Sequence, residues 1–77
     1  MDINLLAFGQ IADIIGKSSL KFSRVEDTEE LKRALSELFP TLSLIKYSIA
    51  VNKSVIQENT KLSNEDTIAL LPPFSGG

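Results

Sequence analysis

The stretch Asp27–Phe39, DTEELKRALSELF, decides the fold. Its apolar residues Leu31, Ala34, Leu35, Leu38 and Phe39 recur at i, i+3, i+4, i+7 and i+8, the pattern of one apolar stripe along a helix. Asp27 or Thr28 supplies the N-cap, and Glu29 and Glu30 place negative charge against the positive end of the helix dipole. With Asp27 as the cap, Glu30 falls where the partner of a capping box belongs. Pro40 ends the helix, because the residue before a proline avoids helical backbone angles. A helix with one apolar side needs a surface to bury it, and the flanking segments read as a sheet.

Upstream, Asp2–Phe8 (DINLLAF) alternates as a strand, with Ile3, Leu5 and Ala7 on one face and Asn4, Leu6 and Phe8 on the other. Gly9–Gly16 is too short for an independent helix, yet Ile11, Ile14 and Ile15 share a face and Gly16 suits a left-handed C-cap, so one or two helical turns fit. Ser19–Val25 alternates as a second strand, with Leu20, Phe22 and Val25 on one side. Downstream, Thr41–Lys46 is a connection whose Leu42, Leu44 and Ile45 are expected to plug the core. Tyr47–Val51 and Ser54–Ile56 read as strands around an Asn52-Lys53 turn, where Asn tolerates positive φ. Leu62 is expected to be buried from a polar loop. The turn Asn64-Glu65-Asp66 leads into the last strand, Thr67–Leu71. The result is an α+β domain of two layers, a mixed sheet of four to five strands with one main helix on one face and a short helix after the first strand.

One helix covers one face, and that raises a difficulty. The first and last strands carry large apolar residues on both faces, whereas a half-buried strand should alternate apolar with polar. Leu6, Phe8, Leu71 and Val55 are thereby left on the uncovered side. Either a loop covers them or they form an exposed patch that meets a partner.

Composition narrows the chemistry. The chain has 77 residues, 43% of them apolar, with no Cys and no His. A thiol nucleophile, an imidazole base, a disulfide and a nitrogen- or sulfur-ligated metal site are all excluded. The net charge of −2 argues against a phosphate-backbone binder. No apolar run is long enough for a membrane span and no secretory signal is present, so a cytoplasmic protein is expected, with neither nucleic acid nor membrane as partner. Catalysis by this chain alone is not expected; action through a partner is.

The sequence closes LLPPFSGG. Pro72 and Pro73 fix two φ angles, remove two donors and end the last strand. We expect residues 1–71 to fold and 72–77 to form a flexible arm. Phe74 is an anchor for a partner pocket, and Gly76 and Gly77 can enter a channel too narrow for a Cβ. The Gly77 carboxylate is the chain's one plausible reactive group. A carboxylate resists nucleophiles because its leaving group is poor; activation as an acyl-adenylate would make the carbonyl electrophilic.

These residues resemble a known family, the small sulfur-carrier subunits of molybdopterin synthase within the ubiquitin-like β-grasp group. The likeness runs along nearly the whole chain. It includes Leu5-Leu6-Ala7-Phe8-Gly9, Ala12–Gly16, the helix DTEELKRAL, Ala50-Val51-Asn52, Asp66–Ala69 and, most specifically, Pro72–Gly77. The resemblance implies a β-grasp fold and a Gly77 carboxylate that an E1-like enzyme adenylates with ATP and a sulfur donor converts to a thiocarboxylate. The arm Pro72, Pro73, Phe74, Ser75 and Gly76 would thread into the large catalytic subunit of molybdopterin synthase. There the sulfur would pass to cyclic pyranopterin monophosphate. Leu6, Phe8, Val55 and Leu71 would form the docking face of a heterotetramer of two large and two small subunits. No metal and no permanently bound cofactor is implied. Two departures stand out: Asn64-Glu65-Asp66 lacks the glycine common at this turn, and Phe74 replaces the commoner valine. Alternatives are a thiamine-pathway sulfur carrier of the same fold and a non-catalytic ubiquitin-like binding module. A protein modifier fits less well, since Ser75 rather than arginine precedes the glycine pair.

Overall fold

The computed structural model describes residues 2–72. Its elements run β1 (Asp2–Ala7), α1 (Gly9–Ile15), β2 (Ser19–Ser23), α2 (Thr28–Leu38), a 3-10 turn (Pro40–Leu44), β3 (Ser48–Val51), β4 (Ser54–Ile56) and β5 (Thr67–Leu71). The five strands form one mixed sheet in the order β2-β1-β5-β3-β4. β1 pairs antiparallel with β2 and parallel with β5, which places the first and last strands side by side at the centre.

One face of the sheet and the helices enclose the core. Ile3 and Leu5 of β1, Ile68 and Leu70 of β5, Ile11 of α1, and Leu31 and Leu35 of α2 are all fully buried, with Leu42 of the 3-10 turn. The α2 stripe differs from expectation at one end. Thr28 is buried and Leu38, in the last turn, is 61% exposed. The chain leaves the helix at Phe39, whose φ of −131° is not helical, and Phe39 packs on the core in place of Leu38. Leu44 is likewise 81% exposed, so of the expected plugs only Leu42 and Ile45 reach the core.

The ends of α2 follow from the sequence. The Asp27 carboxylate accepts the N–H of Glu30 at 2.8 Å. The Glu30 carboxylate reaches past the cap to accept the N–H of Glu26 at 2.8 Å, so the reciprocal bond of a capping box is displaced by one residue. Thr28 survives burial because its hydroxyl accepts from the Thr60 N–H at 3.0 Å and donates to Asn59 Oδ1 at 3.2 Å.

Among the described residues, four non-glycine positions hold positive φ. Asn52 (48°) and Lys53 (76°) form the two-residue hairpin turn that matches strand twist. Arg24 (67°) stops β2 at Ser23 instead of Val25, although Val25 is still buried. Glu65 (70°) occupies the turn before β5, where a glycine would be unstrained. Its backbone N–H donates to the Asp2 carbonyl at 2.6 Å, a bond that any residue can make. A Glu65→Gly substitution is therefore expected to raise stability by about 0.5–1 kcal/mol, because relief of left-handed strain exceeds the added chain entropy. Thermal melting checks this, and a lowered melting temperature would refute it.

The same turn is tied to the β3–β4 hairpin through Asp66. Its carboxylate accepts from Asn52 Nδ2 at 2.9 Å and from the Ser63 N–H at 2.7 Å. These bonds hold its carboxyl below the usual carboxylate value. A lowered folded pKa makes its contribution complete above the unfolded value of about 4 and lost as pH falls through the folded value. The stability gap between the native chain and Asp66→Asn should thus be widest near neutrality and close as pH falls below about 4. Denaturant titrations at several pH values measure it.

Candidate functional site

The uncovered face of the sheet carries the expected patch. In the pairing register, Ser19 of β2 lies opposite Leu6 of β1, Leu6 beside Ala69 of β5, Ala69 opposite Ala50 of β3, and Ala50 opposite Val55 of β4. One row thus crosses all five strands, and it is apolar from Leu6 to Val55. A second row begins next to it. Ala7 pairs with Leu70, so the chain carries Phe8 and Leu71 one step further on the outward side, where Leu71 lies opposite Ser48. Phe8 is extended (φ −128°, ψ 150°) and 47% exposed, Val55 is 54% exposed, and Leu6 and Leu71 are half-buried. Among the described residues, nothing buries Phe8 or Val55.

Leu6, Phe8, Val55 and Leu71 therefore share one surface, as alternation along each strand predicts. Two further members were not anticipated. Ala69 follows from alternation in TIALL, but Ala50 joins only through the register of β3 with β5, which strand composition alone does not reveal. The two alanines keep the middle of the face low between larger neighbours.

The last strand delivers the chain to the rim of this patch. β5 ends at Leu71, and Pro72 packs over the turn between β1 and α1, where a Cβ built on Gly9 would lie 3.4 Å from Pro72 Cγ. Gly9 itself holds φ +55°. Glycine at this place serves both the left-handed turn and the close approach of proline. The root of the arm is thereby fixed beside Phe8. The other expected arm residues, Pro73, Phe74, Ser75, Gly76 and Gly77, lie outside the described residues.

Among the described residues, recesses of about 400, 190 and 360 Å³ lie elsewhere and are lined by none of Leu6, Phe8, Val55, Ala69 or Leu71. Among the described residues no cluster of acidic, His or Cys side chains could hold a metal, and no helix is long and apolar enough to cross a membrane. A flat apolar face next to an outgoing chain suits a protein partner.

Known proteins place this geometry. The ThiS family model matches residues 5–77. A molybdopterin synthase sulfur carrier subunit of Caenorhabditis briggsae is 31% identical over 83 aligned residues, which span 100% of this chain and 99% of the relative. A chain of the solved complex of subunits 1 and 2 of the molybdopterin-converting factor of Helicobacter pylori is a structural match. It is 32% identical with a TM-score of 0.73, and 100% of each chain is covered. The solution structure of small archaeal modifier protein 1 from Methanosarcina acetivorans superposes with a TM-score of 0.84 at 23% identity, covering 99% of this chain and 96% of that one, and shows the shared fold alone. Sheet order, uncovered face and full-length similarity agree: the chain belongs to the ThiS family and has the ubiquitin-like β-grasp fold.

Proposed function

We propose that this protein is the sulfur-carrier subunit of a molybdopterin synthase. The observation that carries the reading is where β5 ends: this central strand releases the chain at Pro72, beside the apolar row that runs from Leu6 to Val55. The full-length relative and the Helicobacter pylori structure, a complex of subunits 1 and 2 of the molybdopterin-converting factor, support the choice of partner.

In the proposed cycle an E1-like enzyme transfers AMP from ATP to the Gly77 carboxylate and releases pyrophosphate. A donor that delivers sulfide then attacks the acyl-adenylate carbonyl as HS−, AMP leaves with the C–O bond electrons, and a thiocarboxylate remains on Gly77. The carrier docks on the large catalytic subunit through Leu6, Phe8, Val55 and Leu71. The arm from Pro72 to Gly76 reaches into that subunit's active site, where the thiocarboxylate sulfur bonds to a side-chain carbon of cyclic pyranopterin monophosphate as a C–O bond of that carbon breaks and its oxygen leaves. Hydrolysis of the resulting acyl–sulfur bond leaves sulfur on the pterin and restores the carboxylate. This chain contributes the docking face, the reach of the arm and the reacting terminus; the other catalytic groups belong to the partners, since this chain has no Cys or His.

Intact-mass measurement after incubation with ATP, an activating enzyme and a sulfur source tests the first half. A gain equal to the exchange of one oxygen for sulfur at Gly77 is expected, and an unchanged mass with a competent enzyme refutes it. Adding the large subunit and the pyranopterin precursor tests the second half, since a thiamine-pathway carrier would load sulfur and then fail to discharge it there.

A further inference from the structure

We infer that the free edge of β2 is a second docking site, one that takes an extended acidic segment of a partner protein as an additional strand. β2 is the outer strand of the sheet and, among the described residues, pairs only with β1. Its hydrogen-bonding phase is fixed by one bond: the Ala7 N–H donates to the Ser18 carbonyl at 2.9 Å. In the antiparallel register of β1 with β2, Leu20 and Phe22 then also turn their backbone groups inward. Ser19, Lys21 and Ser23 therefore turn their N–H and C=O groups away from the sheet. All three residues are exposed. An unpaired row of alternating donors and acceptors is a template for another strand.

Charge selects the occupant. Between Asp13 and Glu26 the chain carries Lys17, Lys21 and Arg24 and no acidic residue, although the whole protein has a net charge of −2. Where β2 ends, a recess of about 400 Å³ opens, lined by Arg24, Val25, Glu26, Lys61 and Leu62. Its floor is apolar, since Val25 and Leu62 are buried, and two cations stand at its wall against one carboxylate. The acidic groups near the edge are Asp2, whose carboxylate accepts from the Ser23 hydroxyl at 2.7 Å, and Glu26. A second copy paired antiparallel through β2 would set the cations Lys17, Lys21 and Arg24 of one copy close to those of the other, which disfavours self-association. A strand with acidic side chains, and one apolar residue for the recess, matches both features.

Arg24 adds an independent sign. It holds φ 67°, a conformation that glycine adopts without strain, yet it presents a guanidinium where the edge meets the recess. The site uses none of the arm residues, so its success or failure is separate from that of the sulfur-carrier reading.

The test uses the full-length, isotope-labelled protein and a synthetic peptide of alternating valine and glutamate. Expected are amide shifts and slowed hydrogen exchange at Ser19, Lys21 and Ser23, and at least a tenfold weaker affinity for Lys21→Glu. Arg24→Gly should weaken binding at least threefold while melting at the same or a higher temperature, which separates lost charge from lost fold. The same peptide N-methylated on alternate amides should not bind. Equal binding by the methylated peptide, shifts confined to other surfaces, or protection of the β2 edge by raised protein concentration without peptide would each overturn the inference. So would equal protection of the edge by a single-stranded oligonucleotide.

Discussion

Removal of Gly77 is expected to lower the rate of sulfur loading by at least 100-fold while leaving thermal melting unchanged. Under the proposed function the reacting atom is the carbonyl carbon of the terminal residue. An extended chain spans about 3.3–3.6 Å per residue, so a one-residue deletion draws the carboxylate back by that distance. Misplacement of a reacting group by about 1 Å costs on the order of 100-fold, and the deletion exceeds that. Extension by one alanine should be as harmful, because it removes the carboxylate from Gly77 altogether. The fold has no stake in either change, since the core runs from Ile3 to Leu70. Measuring adenylate formation and thiocarboxylate mass for the two variants checks the result. Loading of both at the native rate would mean that Gly77 is not the reacting residue.

The second large effect concerns the uncovered face. Val55→Asp is expected to weaken binding to the large subunit by about 30-fold to several thousandfold, the equivalent of roughly 2–5 kcal/mol for an unpaired charge buried on docking. The folded protein should lose no more than about 1 kcal/mol, because Val55 is 54% exposed on a three-residue edge strand. Arg33→Glu, on the exposed side of α2, changes charge by more and should leave the affinity within about threefold, since a charge outside an interface acts only weakly through solvent. Calorimetric titration of the three proteins separates docking from general electrostatics. Equal affinities would remove the apolar face from the interface.

Much of this geometry is legible in the sequence. Alternation in DINLLAF assigned both faces of β1, and the pattern of DTEELKRALSELF with Pro40 located α2 to within one residue at each end. The Asn52-Lys53 turn followed from the tolerance of asparagine for positive φ, though lysine gave no such signal. The errors share a cause. Leu38 and Leu44 obey the local pattern and are nevertheless exposed, because the chain leaves α2 at Phe39, which packs on the core, and Leu42 and Ile45 take the inward places of the 3-10 turn. Arg24 ends β2 through a backbone angle that its side chain does not advertise. Ala50 belongs to the open face through register, a long-range property, and the free backbone groups of β2 depend on hydrogen-bond phase, which composition does not encode.

The side-by-side, parallel arrangement of β1 and β5 also has a mechanical meaning. A pull applied at Asp2 and an opposing pull at Leu71 would load the two strands in shear along their shared length. The bonds of the Asn4–Ala7 and Thr67–Leu70 ladder would then bear the force together rather than opening one by one from an end. Their rupture is governed by the unfolding barrier. Under the proposed function, a pull on the chain beyond Pro72 while β1 is held at Asp2 would therefore load this ladder in shear and not unzip it.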